Sequence, residues 1–255
     1  MNWNRYLTPE ILGPGFILLF VLSIWLFSII PASKTGLRLI PAFKQLKKTI
    51  HQAVEEGRRL HITLGNGSLY GVPASSALIG LAMLLRISRT AAPGDQPPVA
   101  TSGNGLLAIL SQDTQKTAYQ LLQAEHKYSP LLGQISGLTP WSYAAGLLPV
   151  IYDQNIHANI VAGHFDSEIV LMVDASERKK NQLIAGSDSL TGQAIIYTGA
   201  QEPLIGEELY AGVAYLQDQP LPVMHIASLN AQDLLRWVLI LLILAGTILK
   251  ITGWL

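Results

Sequence analysis

The sequence predicts an α/β fold: a Rossmann-like three-layer sandwich with a mainly parallel sheet, flanked by an N-terminal and a C-terminal transmembrane helix. Three observations carry that reading. Short apolar runs alternate with longer helical patterns from about Arg58 to Leu216, the alternation that right-handed βαβ crossovers require. Ile11 to Ile30 is an uncharged run of twenty residues, long enough at 1.5 Å per residue to cross about 30 Å of hydrocarbon. The chain also ends in an apolar stretch, Leu234 to Leu255. The expected organisation is a leader and membrane helix over 1–31, a basic connector helix over 32–57, an α/β domain over 58–222, and a linker with the second membrane helix over 223–255.

Each element has its own signal. In the first span Pro14 lies near the start, where a helix tolerates it, and Pro31 closes the run. A cleaved signal peptide would carry a shorter apolar region behind a basic leader; here the leader holds only Arg5, so an uncleaved anchor is expected. The connector has apolar residues at Ile40, Phe43, Leu46, Ile50 and Val54, a helical spacing, with Lys44, Lys47 and Lys48 mostly off that stripe. It can rest on anionic headgroups or dock on the domain.

In the domain, Arg59–Leu64 reads as a strand, Gly65–Gly71 as a turn and Ala74–Thr90 as an apolar helix. A second strand, Val99–Thr101, precedes the break Ser102-Gly103-Asn104-Gly105 and a helix over Leu106–Ala124. Gln134–Leu138 is the third strand, followed by a helix over Pro140–Tyr152 that Pro149 interrupts. Ala158–Ala162 is the fourth strand, and Asp166 caps a helix over Ser167–Lys179. Gln182–Ala185 is the fifth strand, Ser187 or Asp188 caps a further helix, and Pro203 opens the last one, reaching Leu216. Gln217–Pro222 is the exit linker. In the second span Trp237 to Leu249 separate Arg236 from Lys250, about 20 Å of helix, which spans only if both cations snorkel.

Composition narrows the function classes. Of 255 residues 49% are hydrophobic and 13% charged, about half of the roughly 25% usual in soluble domains, which argues against disorder and nucleic-acid binding. The absence of cysteine removes disulfides, thiolate metal sites and cysteine nucleophiles. Charge is segregated. Residues 32–50 hold five basic residues (Lys34, Arg38, Lys44, Lys47, Lys48) and no acid, whereas residues 51–233 hold sixteen acids against nine bases. Basic residues flank spans on the cytoplasmic side. The expectation is therefore a two-pass protein of the inner (cytoplasmic) membrane with a cytoplasmic central domain and both termini outside.

In a parallel sheet, ligands bind beyond the carboxyl ends of the strands. Small and polar residues gather there: Gly65, Asn66, Gly67 and Gly71; Thr101, Ser102, Gly103 and Asn104; His164; Ser187 and Asp188. The spacing Gly65-x-Gly67-x-x-x-Gly71 between strand and helix can aim backbone N–H groups at a phosphate, but no acid ends the second strand to hold a ribose. Gly67 is expected to hold a positive φ or admit a close backbone. Ser102 lacks the Gly-x-Ser-x-Gly surroundings of a nucleophile. His164 can serve as a base with Asp166 or Asp188 as orienter, or as a structural hydrogen-bond partner. The six histidines include no i, i+4 pair, so no metal is expected. Glu202, Glu207 and Glu208 read as carboxylates at a helix start. No catalytic set is complete and no cofactor is implied.

Ala53–Arg58 (AVEEGR), Pro98–Gly105 (PVATSGNG), Ser111–Thr114 (SQDT), Gly137–Ala145 (GLTPWSYAA), Gly163-His164-Phe165, Leu183–Asp188 (LIAGSD), Glu202–Leu209 (EPLIGEEL) and His225–Trp237 (HIASLNAQDLLRW) together resemble an uncharacterised family of bacterial membrane-anchored proteins of the Chloroflexota type. The resemblance spans most of residues 50–237 in order. It implies a membrane-tethered α/β domain and nothing about substrate. Asn104 stands where that family is expected to carry an acidic residue.

Two classes of function follow. One is a non-catalytic subunit or scaffold, partnered by the bilayer and by copies of itself or other membrane-complex subunits, with interfaces on the apolar helix faces Leu78–Leu85 or Leu204–Tyr215. The other is a small-ligand or nucleotide site at the strand ends, as sensor or enzyme. A strand-end region filled by side chains favours the first; an open cleft joining the Gly65, Ser102 and Ser187 turns favours the second.

Overall fold

The strand predicted at Arg59–Leu64 forms as β1 (Arg59–Gly65) and lies at the centre of a parallel sheet. The structure is a computed structural model and describes residues 9–29, 38–71, 73–153, 155–216 and 223–251. It divides into two compact units, Ile40–Gln217 and Met1–Leu39 with Asp218–Leu255.

The first unit holds a six-stranded sheet in the order β3-β2-β1-β4-β5-β6. Its strands are β1, β2 (Val99–Ser102), β3 (Gly133–Ile135), β4 (Ile156–His164), β5 (Gln182–Ser187) and β6 (Glu202–Leu204). All neighbours pair in parallel. From β1 the chain winds outward to β3, returns to the centre at β4 and winds the other way. This is the Rossmann order, and its reversal between β1 and β4 opens a crevice at their carboxyl ends. The connecting helices are α3 (Ala74–Ala91), α4 (Gly105–Leu121), α5 (Pro140–Tyr152), α6 (Ile169–Lys179) and α7 (Leu190–Gly199).

The sixth strand departs from the sequence reading. Glu202–Leu204, expected to begin a helix at Pro203, pairs with β5 from Ile184↔Glu202 to Gly186↔Leu204. Pro203 has no N–H, and an edge strand is where that costs least. Glu207 and Glu208 do begin a helical turn, the 3-10 segment Gly206–Ala211, which leads into α8 (Gly212–Leu216). The third strand is shorter than expected, and α4 stops at Leu121. Asp166 caps no helix, because α6 follows Glu168. Nor do Ser187 and Asp188, because α7 follows Ser189. Their side chains are engaged elsewhere.

Both faces of the sheet are covered, so its strands bury alternate residues in two cores. On one face α5, α6 and α7 pack Tyr143, Leu147, Phe165, Met172 and Ile196 against Val161, Leu183 and Ala185. On the other, α3 crosses so close to β4 that a Cβ on Gly80 would fall on the carbonyl oxygen of Ala162. There the connector helix α2 (Pro41–Glu55) also docks, contacting α3, α8 and the sheet. It buries Phe43, Leu46, Ile50 and Ala53, with Phe43 stacked on Tyr215 at 5.0 Å between ring centroids. Phe43, Leu46 and Ile50 each contribute about 1.5–3 kcal/mol by leaving water, and the methyl of Ala53 about 0.8 kcal/mol. The apolar stripe of α2 is thus spent on the domain, and Lys44 and Lys48 face outward.

The second unit contains α1 (Pro9–Ile29) and α9 (Val223–Ile251), which pack against each other. Among the described residues one helical segment, Leu229–Ile248 of α9, is long and apolar enough to cross a membrane; only 11% of it is buried. The two expected spans thereby reduce to one candidate. The apolar segment of α1, Gly13–Leu26, is shorter, about 21 Å of helix. The α9 segment starts upstream of Leu234 and takes in Asp233 and Arg236, whose charges pair along the helix at 3.5 Å. The exit linker Gln217–Pro222 and Lys34 lie outside the described residues.

A polar seam runs through the α5/α6 side of the sheet. His61 on β1 is fully buried; its Nδ1 lies 2.9 Å from Asn159 Oδ1 and its Nε2 2.8 Å from Thr101 Oγ1. An amide oxygen only accepts, so Nδ1 carries the proton and Nε2 accepts from the threonine. Desolvation pushes the imidazole down from 6.5 to about 4, against the partial pull of the Asn159 bond. A folded value below the unfolded one means that this contribution to stability is complete above pH 6.5. It is lost as the pH falls toward 4, by roughly 3 kcal/mol. Urea denaturation in detergent between about pH 7 and pH 4 should show that loss in the wild type. His61→Gln, which cannot take up the proton, should be less stable at neutral pH and show a shallower dependence.

Candidate functional site

The site lies where β1, β4 and β5 end, at the topological reversal. β1 ends on Gly65, whose φ of +80° a side chain rarely adopts; a Cβ there would fall on the backbone of His164. The chain then runs through Asn66 and Gly67 across the end of β4. A Cβ on Gly67 would come within 3.0 Å of His164 Cβ and 3.4 Å of Pro73 Cβ. Positive φ therefore belongs to Gly65 and to Gly71, not to Gly67, whose constraint is side-chain crowding.

His164 is the hub. Its Nδ1 lies 2.6 Å from Asp188 Oδ1, and Asp188 Oδ2 accepts from Ser76 Oγ at 2.6 Å. Ser76 belongs to the first turn of α3, where a carboxylate is favourably placed by the helix dipole. The Asp188 side chain is only 8% exposed. Because a carboxylate only accepts, the shared proton sits on His164 Nδ1, and Nε2 is the outward nitrogen. Nε2 stands 3.7 Å from Asp166 Oδ2, and Asp166 Oδ1 accepts from Ser189 Oγ. Of the two orienters expected from sequence, Asp188 makes the direct bond.

The backbone donors that would hold a phosphate in this fold are engaged within the protein. Gly65 N–H donates to Tyr143 Oη at 3.2 Å, Asn66 N–H to the His164 carbonyl at 3.3 Å, and Gly103 N–H to the Gly65 carbonyl at 2.9 Å. Gly103 sits against Asn66, where a Cβ would meet Asn66 Cβ at 2.7 Å. Tyr143, from α5, also bonds Thr63 Oγ1 and the Thr101 carbonyl and stacks on Phe165. Burial drives its phenol far up the scale, against the pull of those hydrogen bonds, so it stays protonated.

The other predicted residues serve the frame. Thr101 holds His61. Ser102 Oγ donates to the Asn104 carbonyl at 3.1 Å, and Asn104 Oδ1 caps α4 through Leu106 N–H. Ser187 Oγ accepts from the N–H groups of Phe165 and Ser189 and donates to the Phe165 carbonyl. Gly71 is exposed, its carbonyl accepting from Ala74 N–H at the entry to α3. The geometry thus joins Gly65, Asn66, Gly67, His164, Ser187 and Asp188, links Gly103 to them, and leaves Gly71 apart.

Ser76 and Tyr143 were not legible as members. Their signals were slight: paired serines at the start of a largely apolar helix, and a tyrosine four residues after the threonine, Thr139, that caps α5. As chemistry, a hydrolytic nucleophile needs its hydroxyl on the histidine. Ser76 instead bonds the carboxylate, so the order is Ser–Asp–His. Among the described residues no group of three or more His, Asp or Glu side chains is arranged to hold a metal ion.

The arrangement has a measurable cost profile. Gly65→Ala combines a forbidden φ with backbone overlap and should destabilise by roughly 3 kcal/mol or more, against about 1 kcal/mol for Gly67→Ala. Asp188→Ala removes the direct partner of His164 Nδ1, while Ser76 Oγ keeps the Pro73 carbonyl at 2.9 Å; it should cost about 2–3 kcal/mol, whereas Ser189→Ala, on the exposed side, should cost under about 1 kcal/mol. Chemical denaturation of the detergent-solubilised variants checks the ranking.

No curated protein and no solved structure matches the chain. One family model does, over residues 11–255. The chain belongs to the family described as Domain of unknown function (DUF6754).

Proposed function

We propose that this protein is a membrane-anchored α/β subunit or scaffold of a homo-oligomeric or multi-protein membrane assembly, acting without catalysis of its own. The observation that carries this reading is the self-sufficiency of the strand-end region. Asp188 supplies the anion at the first turn of α3, and the Gly65, Asn66 and Gly103 N–H groups are bonded internally. A bound phosphate would have to displace a buried carboxylate and break those bonds, each costly in a low-dielectric site.

The anchor follows from exposure. Ile17, Leu18, Val21, Leu22 and Trp25 of α1 and Leu241, Leu242 and Ile243 of α9 are more than half exposed, which water penalises and lipid does not. Both helices are read as spans, α1 being completed by the uncharged residues that flank its apolar segment. Five basic residues after α1 against Arg5 before it orient the protein with its domain in the cytoplasm and both termini outside.

A small-ligand or nucleotide site is the second reading, favoured by one observation. Asn66 Oδ1 is buried at the strand ends with no hydrogen-bond partner, and such atoms often await a ligand.

Native mass spectrometry of detergent-purified protein separates the two. The scaffold reading expects discrete oligomers or co-purifying subunits with no adduct, and no thermal shift with nucleotides; a stoichiometric small-molecule adduct whose loss follows Asn66→Ala reverses it. For topology, a periplasm-active reporter after Leu255 should give signal, and silence there with signal from the Ala91–Gln96 loop inverts the orientation.

A further inference from the structure

The two apolar helix faces expected as interfaces are used inside the domain. Leu81, Met83, Leu84, Leu204, Leu209 and Val213 are buried, and only Leu78 of the first face is strongly exposed. Exposed apolar surface gathers instead along the open edge at β3. Leu106 and Ile109 on α4, Leu131 before β3, Ile135 on it, and Leu138 and Trp141 after it are 43–77% exposed. The α4 and β3 parts adjoin, since a Cβ on Gly105 would lie 3.8 Å from Ile135 Cδ1.

We propose that this edge is a two-fold interface with a second copy of the same chain, the two β3 strands meeting antiparallel across the axis. The inference rests on the assembly reading above and adds the surface and the partner. Three features select a second copy. First, from Tyr128 to Tyr152 the sequence has no charged residue, so this stretch meets its own copy without like-charge repulsion, and α4 adds one exposed charge of each sign, Asp113 and Lys116. Natural edges avoid pairing by being short or by carrying charge or proline; β3 (Gly-Gln-Ile) is short but carries neither charge nor proline.

Second, the main chain is open in the right place. Ser136 N–H bonds the Ser102 carbonyl, and Gln112 Nε2 takes the Gly133 carbonyl. Strand alternation then turns the N–H and C=O of Ile135 outward. A residue on a two-fold axis pairs with itself, and an Ile135–Ile135 pair exchanges both bonds. Third, six large apolar residues exposed together along one edge are the kind of core around which a standard interface of ~800 Å² per partner forms.

The absence of cysteine makes the test clean. Ile135→Cys is introduced into the full-length chain and oxidised in native membranes, with Leu190→Cys, on α7 beyond the other half of the sheet and 83% exposed, as comparison. A hydrogen-bonded pair on the axis brings the two 135 positions to about 5.5 Å between Cα atoms, within disulfide reach, so a disulfide-linked dimer is expected as the main species at 135, at least five-fold above position 190. In detergent, Ile135→Lys with Leu138→Glu should convert a dimer seen by light scattering to monomer while the circular dichroism spectrum of the folded protein is retained.

Cross-linking at 135 no stronger than at 190 overturns the proposal. If light scattering still reports an oligomer, the assembly reading stands and only the edge is wrong; if it reports a monomer, both fall. Cross-linking through 135 to a protein of another mass also overturns it, in favour of a different partner.

Discussion

Asp188 is nearly withdrawn from solvent at the end of β5, where a carboxylate must be hydrogen-bonded or destabilise the fold. Its two oxygens are taken by His164 and Ser76. That carboxylate therefore fastens the ends of β4 and β5 to the start of α3, three segments far apart in sequence. The rest of the crevice is built around this fastening. His164 can lie where it does only because Gly65 and Gly67 have no Cβ to collide with it. The glycine-rich turn, which in dinucleotide-binding folds of this strand order makes room for a pyrophosphate, here makes room for a histidine.

The consequence for function is that strand order and site chemistry separate. The order β3-β2-β1-β4-β5-β6 provides a crevice in principle, but topology alone implies no ligand. The N–H groups of Gly65, Asn66 and Gly103 point into the protein's own bonds. Exposed apolar residues of the domain include the group at the lateral β3 edge, and those of α1 and α9 lie in the other unit. The association proposed above rests on the first group and the membrane anchoring on the second.

The buried seam of His61, Asn159 and Thr101 works differently from the Asp188 cluster. It carries no charge at neutral pH and is closed pairwise by hydrogen bonds. It also fixes the register of β1 against β2 and β4, because a one-residue slip of β1 would turn His61 into the opposite, apolar core and leave Asn159 and Thr101 without it.

Sequence alone determined the alternation of strands and helices, the strands at the apolar runs Arg59–Leu64 and Ala158–Ala162, the helical connector and the apolar terminal segment. Each is a local periodicity or run length, and burial demands such patterns whatever the partner. It also placed Gly65, Gly67, His164 and Asp188 at strand ends, since strand boundaries follow from the same patterns. What only the tertiary structure decided was who meets whom. That β6 forms at Pro203, that Ser76 and Tyr143 enter the crevice, that the stripe of α2 is covered by Tyr215 rather than lipid, and that Leu81 is buried while Ile135 is open all depend on strand order. Strand order is set by the summed packing of distant segments, and no window of sequence contains both members of those contacts.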